Sequence, residues 1–305
     1  MNENGRNKDG SLFPDPAFLA RLERLRLVVR RPVKGTQVGE RRSLFSGSSQ
    51  EFSDFRPYSP GDDIRRVDWT AYARFRKWFL KIYVDERETD VHLWLDISRS
   101  MSWDAEHKAR RALELAGALG YLALGAGDRL RVHAFARRVE AVSPPFSGKK
   151  SAPRLFSFLS SLSFDKDGDP DGAEDDAGYL LRRRGISIII SDGFTPSGGR
   201  SLADSLRRNG QEVHMILLFS GEEREPSLSG DLRLIDCETG DRREITVNSH
   251  VLRLYRETFR HHVEELSDWC RRRGIVLLPV SAEMTLEETV LDLFRRSGMV
   301  ERQRG

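Results

Sequence analysis

Cysteine is nearly absent from this 305-residue chain: Cys237 and Cys270 are too few and too far apart for a disulfide framework or for paired Cys-x-x-Cys zinc ligands. Both are read as reduced. Long apolar runs are missing too. No window approaches the roughly 20 apolar residues needed to span a bilayer, and Met1 to Ser11 is polar, so neither a transmembrane helix nor a signal peptide is evident. A cytoplasmic location is the expectation. Charge of one sign is scarce: 50 Lys+Arg against 47 Asp+Glu leave +3, too little for nucleic-acid binding without a concentrated basic face. The chain also has no Gly-x-x-x-x-Gly-Lys phosphate loop, no Gly-x-Ser-x-Gly elbow and no internal repeat of fixed period.

What is present is a globular composition, 38% hydrophobic and 32% charged. Residues 12–31 have apolar spacings that predict a short amphipathic helix after Pro16, with Arg21 to Arg31 on its solvated face. Residues 33–60, rich in Gly, Ser and Pro, read as loop and turn. Strands are expected at Trp78–Val84, Val91–Leu95, Leu130–Phe135, Ile186–Ile190, Val213–Phe219 and Ile275–Val280. Helices are expected at Ala105–Leu124, capped by Asp104, at Leu155–Leu162, in a segment ending at Tyr179–Arg184, at Ser201–Arg208 and at Val251–Arg273, with a hairpin around Gly240. Small residues along Ala109, Ala112, Ala116, Gly120 and Ala123 imply close packing of that helix on a sheet. Strands alternating with helices, and Ile186–Ile190 apolar on both faces, argue a doubly wound, mostly parallel α/β sheet with helices on both sides. In such folds ligands bind beyond the carboxyl ends of the strands, where strand order reverses.

Two polar clusters stand at those positions. Asp96-Ile97-Ser98-Arg99-Ser100-Met101 follows Val91–Leu95, and Ser191-Asp192-Gly193 follows Ile186–Ile190. One carboxylate and two hydroxyls on a turn, joined by a second carboxylate, offer the oxygen-only donors that suit a hard cation such as Mg²⁺, or Mn²⁺. The competing reading is that Asp96 and Asp192 merely cap turns at strand ends.

The pattern Asp96, Ser98, Ser100 with Asp192 before glycine resembles the metal-ion-dependent adhesion site (MIDAS) of von Willebrand factor A domains. In that family a carboxylate of a partner protein completes the ion's shell, which implies a binding module rather than an enzyme. Upstream, Glu51-Phe52, then Arg56-Pro57-Tyr58-Ser59-Pro60-Gly61-Asp62-Asp63-Ile64-Arg65-Arg66-Val67-Asp68-Trp69, Ala73-Arg74 and Asp85-Glu86 resemble the signature of the domain-of-unknown-function 58 family. That resemblance runs from about residue 35 to the C-terminus and includes Tyr255 to Phe259 and Trp269 to Gly274. It implies a von Willebrand factor A-like domain over residues 89–305 behind a family-specific segment over 1–88. It further implies a bacterial protein and a MoxR-type AAA+ ATPase partner in an ATP-driven maturation, assembly or stress response. Read from the residues alone, the Arg56–Arg74 segment suits an internal salt-bridge network around Tyr58 and Trp69. A second reading makes Arg56, Tyr58, Arg65, Arg66 and Trp69 a partner-docking surface, since Arg, Tyr and Trp dominate interface energetics.

The pattern departs from the adhesion-site signature in lacking its threonine. In its place residues 164–176 carry seven carboxylates within thirteen positions. Either Asp167 or Asp169 takes the third ligand position, or water does. Asp167-x-Asp169-x-Asp171-Gly172 also matches the first half of a Ca²⁺ loop, but Gly178 stands where the loop's bidentate Glu is expected, and a solvated acidic loop is the alternative. Two further function classes remain in view. A metal-dependent phosphohydrolase acting from Asp96 would want a second carboxylate two residues on, where Ser98 stands. The other class is a scaffold whose site is vestigial and holds no metal.

Overall fold

The computed structural model describes residues 15–28, 51–59, 64, 67–84, 88–102, 107–166, 172–181, 183–195, 197–237 and 240–302. In chain order the elements are α1 (Pro16–Leu22), β1 (Leu25–Leu27), β2 (Glu51–Pro57), α2 (Trp69–Phe75), β3 (Phe79–Val84), β4 (Asp90–Asp96), α3 (His107–Gly125), β5 (Arg129–Phe135), β6 (Val139–Val142), β7 (Phe146–Ser147), α4 (Ala152–Ser160) and α5 (Ala173–Leu180). They continue with β8 (Gly185–Ser191), α6 (Arg200–Arg208), β9 (Gln211–Phe219), α7 (Gly221–Arg224), β10 (Gly230–Ile235), β11 (Arg242–Val247), α8 (Ser249–Arg272) and β12 (Val276–Ser281). A π-helical turn (Glu288–Leu293), α9 (Phe294–Arg296) and β13 (Val300–Arg302) end the described chain.

The main sheet runs β12-β9-β8-β4-β5-β6, with β7 also on β5. Pairings from β12 through β5 are parallel, and β6 and β7 join antiparallel. From β4 the chain crosses over to β5 on one side, then returns to place β8 on the other. Strand order therefore reverses between β4 and β8, and the carboxyl ends of those two strands frame the crevice where such sheets bind ligands.

Alternation along the strands explains the layers. Val91, Leu93 and Leu95 of β4, with Ile186, Ile188 and Ile190 of β8, face a core shared with α3 and α4. Trp94 and Ile189 face the opposite core with α5, α6 and α8. The small-residue stripe on α3 serves the predicted close approach: a Cβ on Gly120 would come within 2.6 Å of Leu155 and 3.0 Å of Leu130.

Several expectations need correction. The first helix stops at Leu22 rather than running on to residue 31, and Leu25–Leu27 forms a strand paired with β13. Residues 51–57, expected as loop, form β2 against β3. The helix expected to end at Tyr179–Arg184 ends at Leu180, and Leu181 is already extended. The two short antiparallel strands β6 and β7 were not anticipated, since neither carries a long enough pattern. Asp104 and residues 29–50 lie outside the described residues.

Two compact units are present. Residues 15–28 belong with 89–302 because Phe18, Leu22, Leu25 and Leu27 are buried in that unit's core, so the expected 1–88 segment is divided. In the other unit, β2 and β3 form a ribbon, and Asp68 Oδ1 caps α2 by accepting Thr70 N at 2.8 Å and Ala71 N at 3.2 Å. Part of the segment read as a salt-bridged loop is thus a capped helix.

One buried cluster is polar. His92 Nδ1 and His133 Nε2 lie 3.0 Å apart and His133 stacks on Trp94 at 4.3 Å, while the outer nitrogens of both imidazoles have no partner among the described residues. Burial pushes His92 down to about 4, with Arg131 adding to it, and burial with His92 and Arg131 pushes His133 down to about 3. Both rings are therefore neutral in the fold and charge on unfolding near pH 6.5, so stability present above that pH is lost as pH falls toward 4. Each ring should cost about 2 kcal/mol at pH 5 relative to pH 7.5. Thermal melts across that range should show His92→Leu/His133→Phe losing several kcal/mol less than the wild type; parallel profiles would refute the assignment.

Candidate metal centre

Strand β4 ends with its last residue pointed at the crevice. Asp96 is fully buried, and both of its oxygens are occupied. Oδ1 accepts the Ser98 amide at 2.9 Å and the Ser98 hydroxyl at 2.6 Å, and Oδ2 accepts the Ser191 hydroxyl from β8 at 2.6 Å. The Ser98 and Ser100 hydroxyl oxygens are 3.0 Å apart. From β8, Ser191 Oγ also accepts the Gly193 amide at 3.1 Å, and Asp192 Oδ1 accepts the Phe194 amide at 3.1 Å. The turn needs its glycine: Gly193 has φ +67°, and a Cβ there would come within 2.6 Å of Leu217. The structure thus brings Asp96, Ser98, Ser100 and Asp192 together, as the sequence pattern suggested.

It also brings in a residue the pattern did not single out. Lys108, in the first described turn of α3, is fully buried, and its ammonium donates to Asp192 Oδ2 at 2.9 Å and to Glu223 Oε1 at 2.5 Å. It lies 5.6 Å from the centre of the Phe194 ring. Glu223 is held in turn by a capping box with Ser220, whose amide donates to Glu223 Oε2 at 2.8 Å, and Tyr255 of α8 donates its hydroxyl to the Glu223 carbonyl at 2.7 Å. Lys108 stands just before the apolar stripe of α3 as one more charged residue of a charged helix, so nothing local marked it.

The electrostatics follow from burial. Desolvation, and then the Asp192 carboxylate, raise Asp96 to about 6, against the pull of the Ser191 and Ser98 hydrogen bonds. Burial alone would lower Lys108, but Asp192 and Glu223 outweigh it and hold the ammonium above its ordinary value. Burial raises Glu223 despite Lys108.

The rim is described on two sides. The Arg99 amide donates to the Lys166 carbonyl at 2.9 Å, and Ser98 forms a parallel bridge with Lys166. The Arg99 guanidinium reaches the carbonyls of Cys237 at 3.3 Å and Asp165 at 3.5 Å. On the α8 side lies a cavity of about 310 Å³ lined by Phe194, Thr195, Tyr255, Thr258, Phe259 and His262. Asp167 and Asp169, and with them the Ca²⁺ reading of 167–172, lie outside the described residues. Among the described residues no group of three or more His, Cys, Asp or Glu side chains converges to hold a metal, so a cation here would depend on the two serine hydroxyls.

The smaller unit holds the other candidates. Trp69 is 57% exposed and sits with Tyr58, Tyr72 and Trp78 in an aromatic cluster, its ring 6.2 Å from Tyr72 and 6.4 Å from Trp78, with Tyr58 5.2 Å from Trp78. Arg56 is placed by its backbone in β2; its side chain, and Arg65 and Arg66 altogether, lie outside the described residues.

Comparison with known proteins now bears on the chain. The profile of the family described as "Protein of unknown function DUF58" matches residues 54–266, well over half of it. The chain belongs to that family. This DUF58 protein is 28% identical over 244 residues to uncharacterized proteins of Mycobacterium tuberculosis and Mycobacterium bovis, covering 77% of its own length and 75% of theirs. Among solved structures it resembles the conserved hypothetical protein BatB from Bacteroides thetaiotaomicron, with 16% identity, TM-score 0.38, 68% of this chain and 98% of that one. An aerotolerance-related membrane protein from Bacteroides fragilis gives 15% identity and TM-score 0.41 over 69% and 98% of the two chains. The manganese-loaded TRAP protein of Plasmodium vivax gives 19% identity and TM-score 0.33 over 44% and 58%. Overlaps of this size add nothing to the α/β architecture read above. No helix among the described residues is long and apolar enough to cross a membrane.

Two outcomes follow from the buried charges. A carboxyl raised in the fold from 3.8 to about 6 gives stability that is present below the lower value and lost as pH rises through the upper one. Asp96→Asn should therefore raise the stability of metal-free protein at pH 7.5 by up to about 3 kcal/mol, and the gain should vanish below pH 4 in calorimetry; no gain at pH 7.5 would contradict the burial argument. Lys108→Met leaves two buried carboxylates without their cation and should cost about 3 kcal/mol or more in denaturant unfolding. A cost below about 1 kcal/mol would place the ammonium in solvent.

Proposed function

We propose that this DUF58 chain is a metal-dependent protein-binding module, with a von Willebrand factor A-like domain in which Asp96, Ser98, Ser100 and Asp192 hold one Mg²⁺ or Mn²⁺. The observation that carries this reading is the Ser98–Ser100 oxygen separation of 3.0 Å beside two strand-end carboxylates. Ligands at 2.0–2.1 Å on adjacent corners of an octahedron are about 3 Å apart, so the two hydroxyls already have the spacing Mg²⁺ requires. The raised Asp96 carboxyl adds to it: two acidic groups packed together in a dry site gain from a cation between them. Asp167 or Asp169 is the proposed third-position ligand, supported by the Lys166 bridge to Ser98 that starts this acidic segment at the site.

When bound, the ion would supply a Lewis-acidic position for a Glu or Asp oxygen of a partner. The protein's own residues do the rest. Ser191 and the Ser98 amide orient Asp96, the Phe194 amide orients Asp192, and the cavity beside Phe194 would receive an apolar residue adjoining the partner's acidic one. The partner class carried by the family resemblance is a MoxR-type AAA+ ATPase or another acidic-residue ligand, in assembly, maturation or stress response. Arg56, Tyr58, Arg65, Arg66 and Trp69 are proposed as a second docking surface, supported by the exposure of Trp69. The reading is of recognition rather than catalysis.

One observation favours the metal-free scaffold as second reading: Lys108 already supplies Asp192 with a positive charge. Isothermal titration of Mg²⁺ and Mn²⁺ into chelator-treated wild type and Asp96→Ala distinguishes the two. Saturable binding near one equivalent that disappears in the variant is the expected result. Absence of binding in both would overturn the metal reading in favour of the scaffold.

A further inference from the structure

Resting on that reading of the site, we propose that Lys108 is a resident internal cation that competes with the divalent ion for Asp192 and so sets the site's ion affinity.

Three observations support this. Lysine is almost never fully buried unless paired, and Lys108 is fully buried between Asp192 and Glu223. Its second counter-ion, Glu223, is fixed in a capping box with Ser220, which holds the ammonium in place. Its partner Asp192 is itself one of the four candidate ion ligands, and Asp192 Oδ1 is already engaged by the Phe194 amide, which leaves Oδ2 shared between the ammonium and any other cation.

The charges then decide the site's affinity. Asp96 and Asp192 together would cancel a divalent ion, and Lys108 and Glu223 cancel each other. The ammonium meanwhile occupies a carboxylate oxygen that the ion would otherwise use. Glu223, held in its capping box, keeps the ammonium beside Asp192. A site built this way gives up ion affinity.

The test compares Glu223→Gln with Lys108→Met/Glu223→Gln, a pair that differs only in the ammonium and avoids stranding Glu223 as a buried charge. Mg²⁺ and Mn²⁺ are titrated calorimetrically into each chelator-treated protein, with far-UV circular dichroism and melting curves verifying the fold. The double variant should bind Mg²⁺ at least about tenfold more tightly than the single, and the single more weakly than wild type because Lys108 then attends Asp192 alone. Equal or weaker binding by the double variant overturns the proposal, while loss of binding in Asp96→Ala would still uphold the ion site. Absence of binding in all variants overturns both readings. Should the double variant fail to fold, Glu223→Gln decides: affinity equal to or above wild type overturns the proposal.

Discussion

Strand β4 has no solvent-facing side, and much of the larger unit follows from that constraint. Six of its seven residues, Val91 to Asp96, are buried. A strand covered on both faces can carry polar chemistry only where its neighbours supply partners, and for β4 that means the His92 imidazole against His133 and the Asp96 carboxylate at the end. Covering helices must approach closely, hence the small-residue stripe of α3 around Gly120. The chain's return to the other side of β4 then sets a second strand end, that of β8, directly beside Asp96.

Placing two carboxylates in so dry a location raises an electrostatic problem that the fold answers in two ways. Hydrogen bonds from Ser98, Ser191 and the Phe194 amide distribute the charge of Asp96 and Asp192. The Lys108 ammonium supplies the counter-charge for Asp192 and ties it to Glu223, α7 and, through Tyr255, α8. The strand-end carboxylates and the cavity lined by Phe194, Tyr255 and Phe259 are therefore joined by a continuous polar and aromatic connection.

The family match from residue 54 to 266 takes in both the aromatic cluster of the smaller unit and the two strand-end clusters of the larger. The resemblance read from the motif extended further, from about residue 35 to the C-terminus, and its Trp269 to Gly274 stretch falls beyond the matched residues. Those residues close α8 against the sheet, where Cys270 packs on Met215 and Arg273 lies over Trp269, a structural role that many sequences can fill.

Periodicity made the main strands and helices legible because burial on both faces leaves a strong imprint: the runs Val91–Leu95, Ile186–Ile190 and Val213–Phe219 are each within two residues of the observed strands. Where the element is short, as in β6 and β7, composition carried no such imprint. The Asp96, Ser98, Ser100 and Asp192 constellation was readable for the same reason, since each cluster abuts a strand whose direction and end were already apparent. Lys108 was not. A lysine in a charged helix looks the same whether it faces water or a buried carboxylate, and likewise His92 and His133 are unremarkable until register sets them side by side. By itself the sequence determined which residues must leave water and where strands must end; only the tertiary structure decided which charges meet there, because ion pairing depends on distances between residues that are 84 and 115 positions apart in the chain.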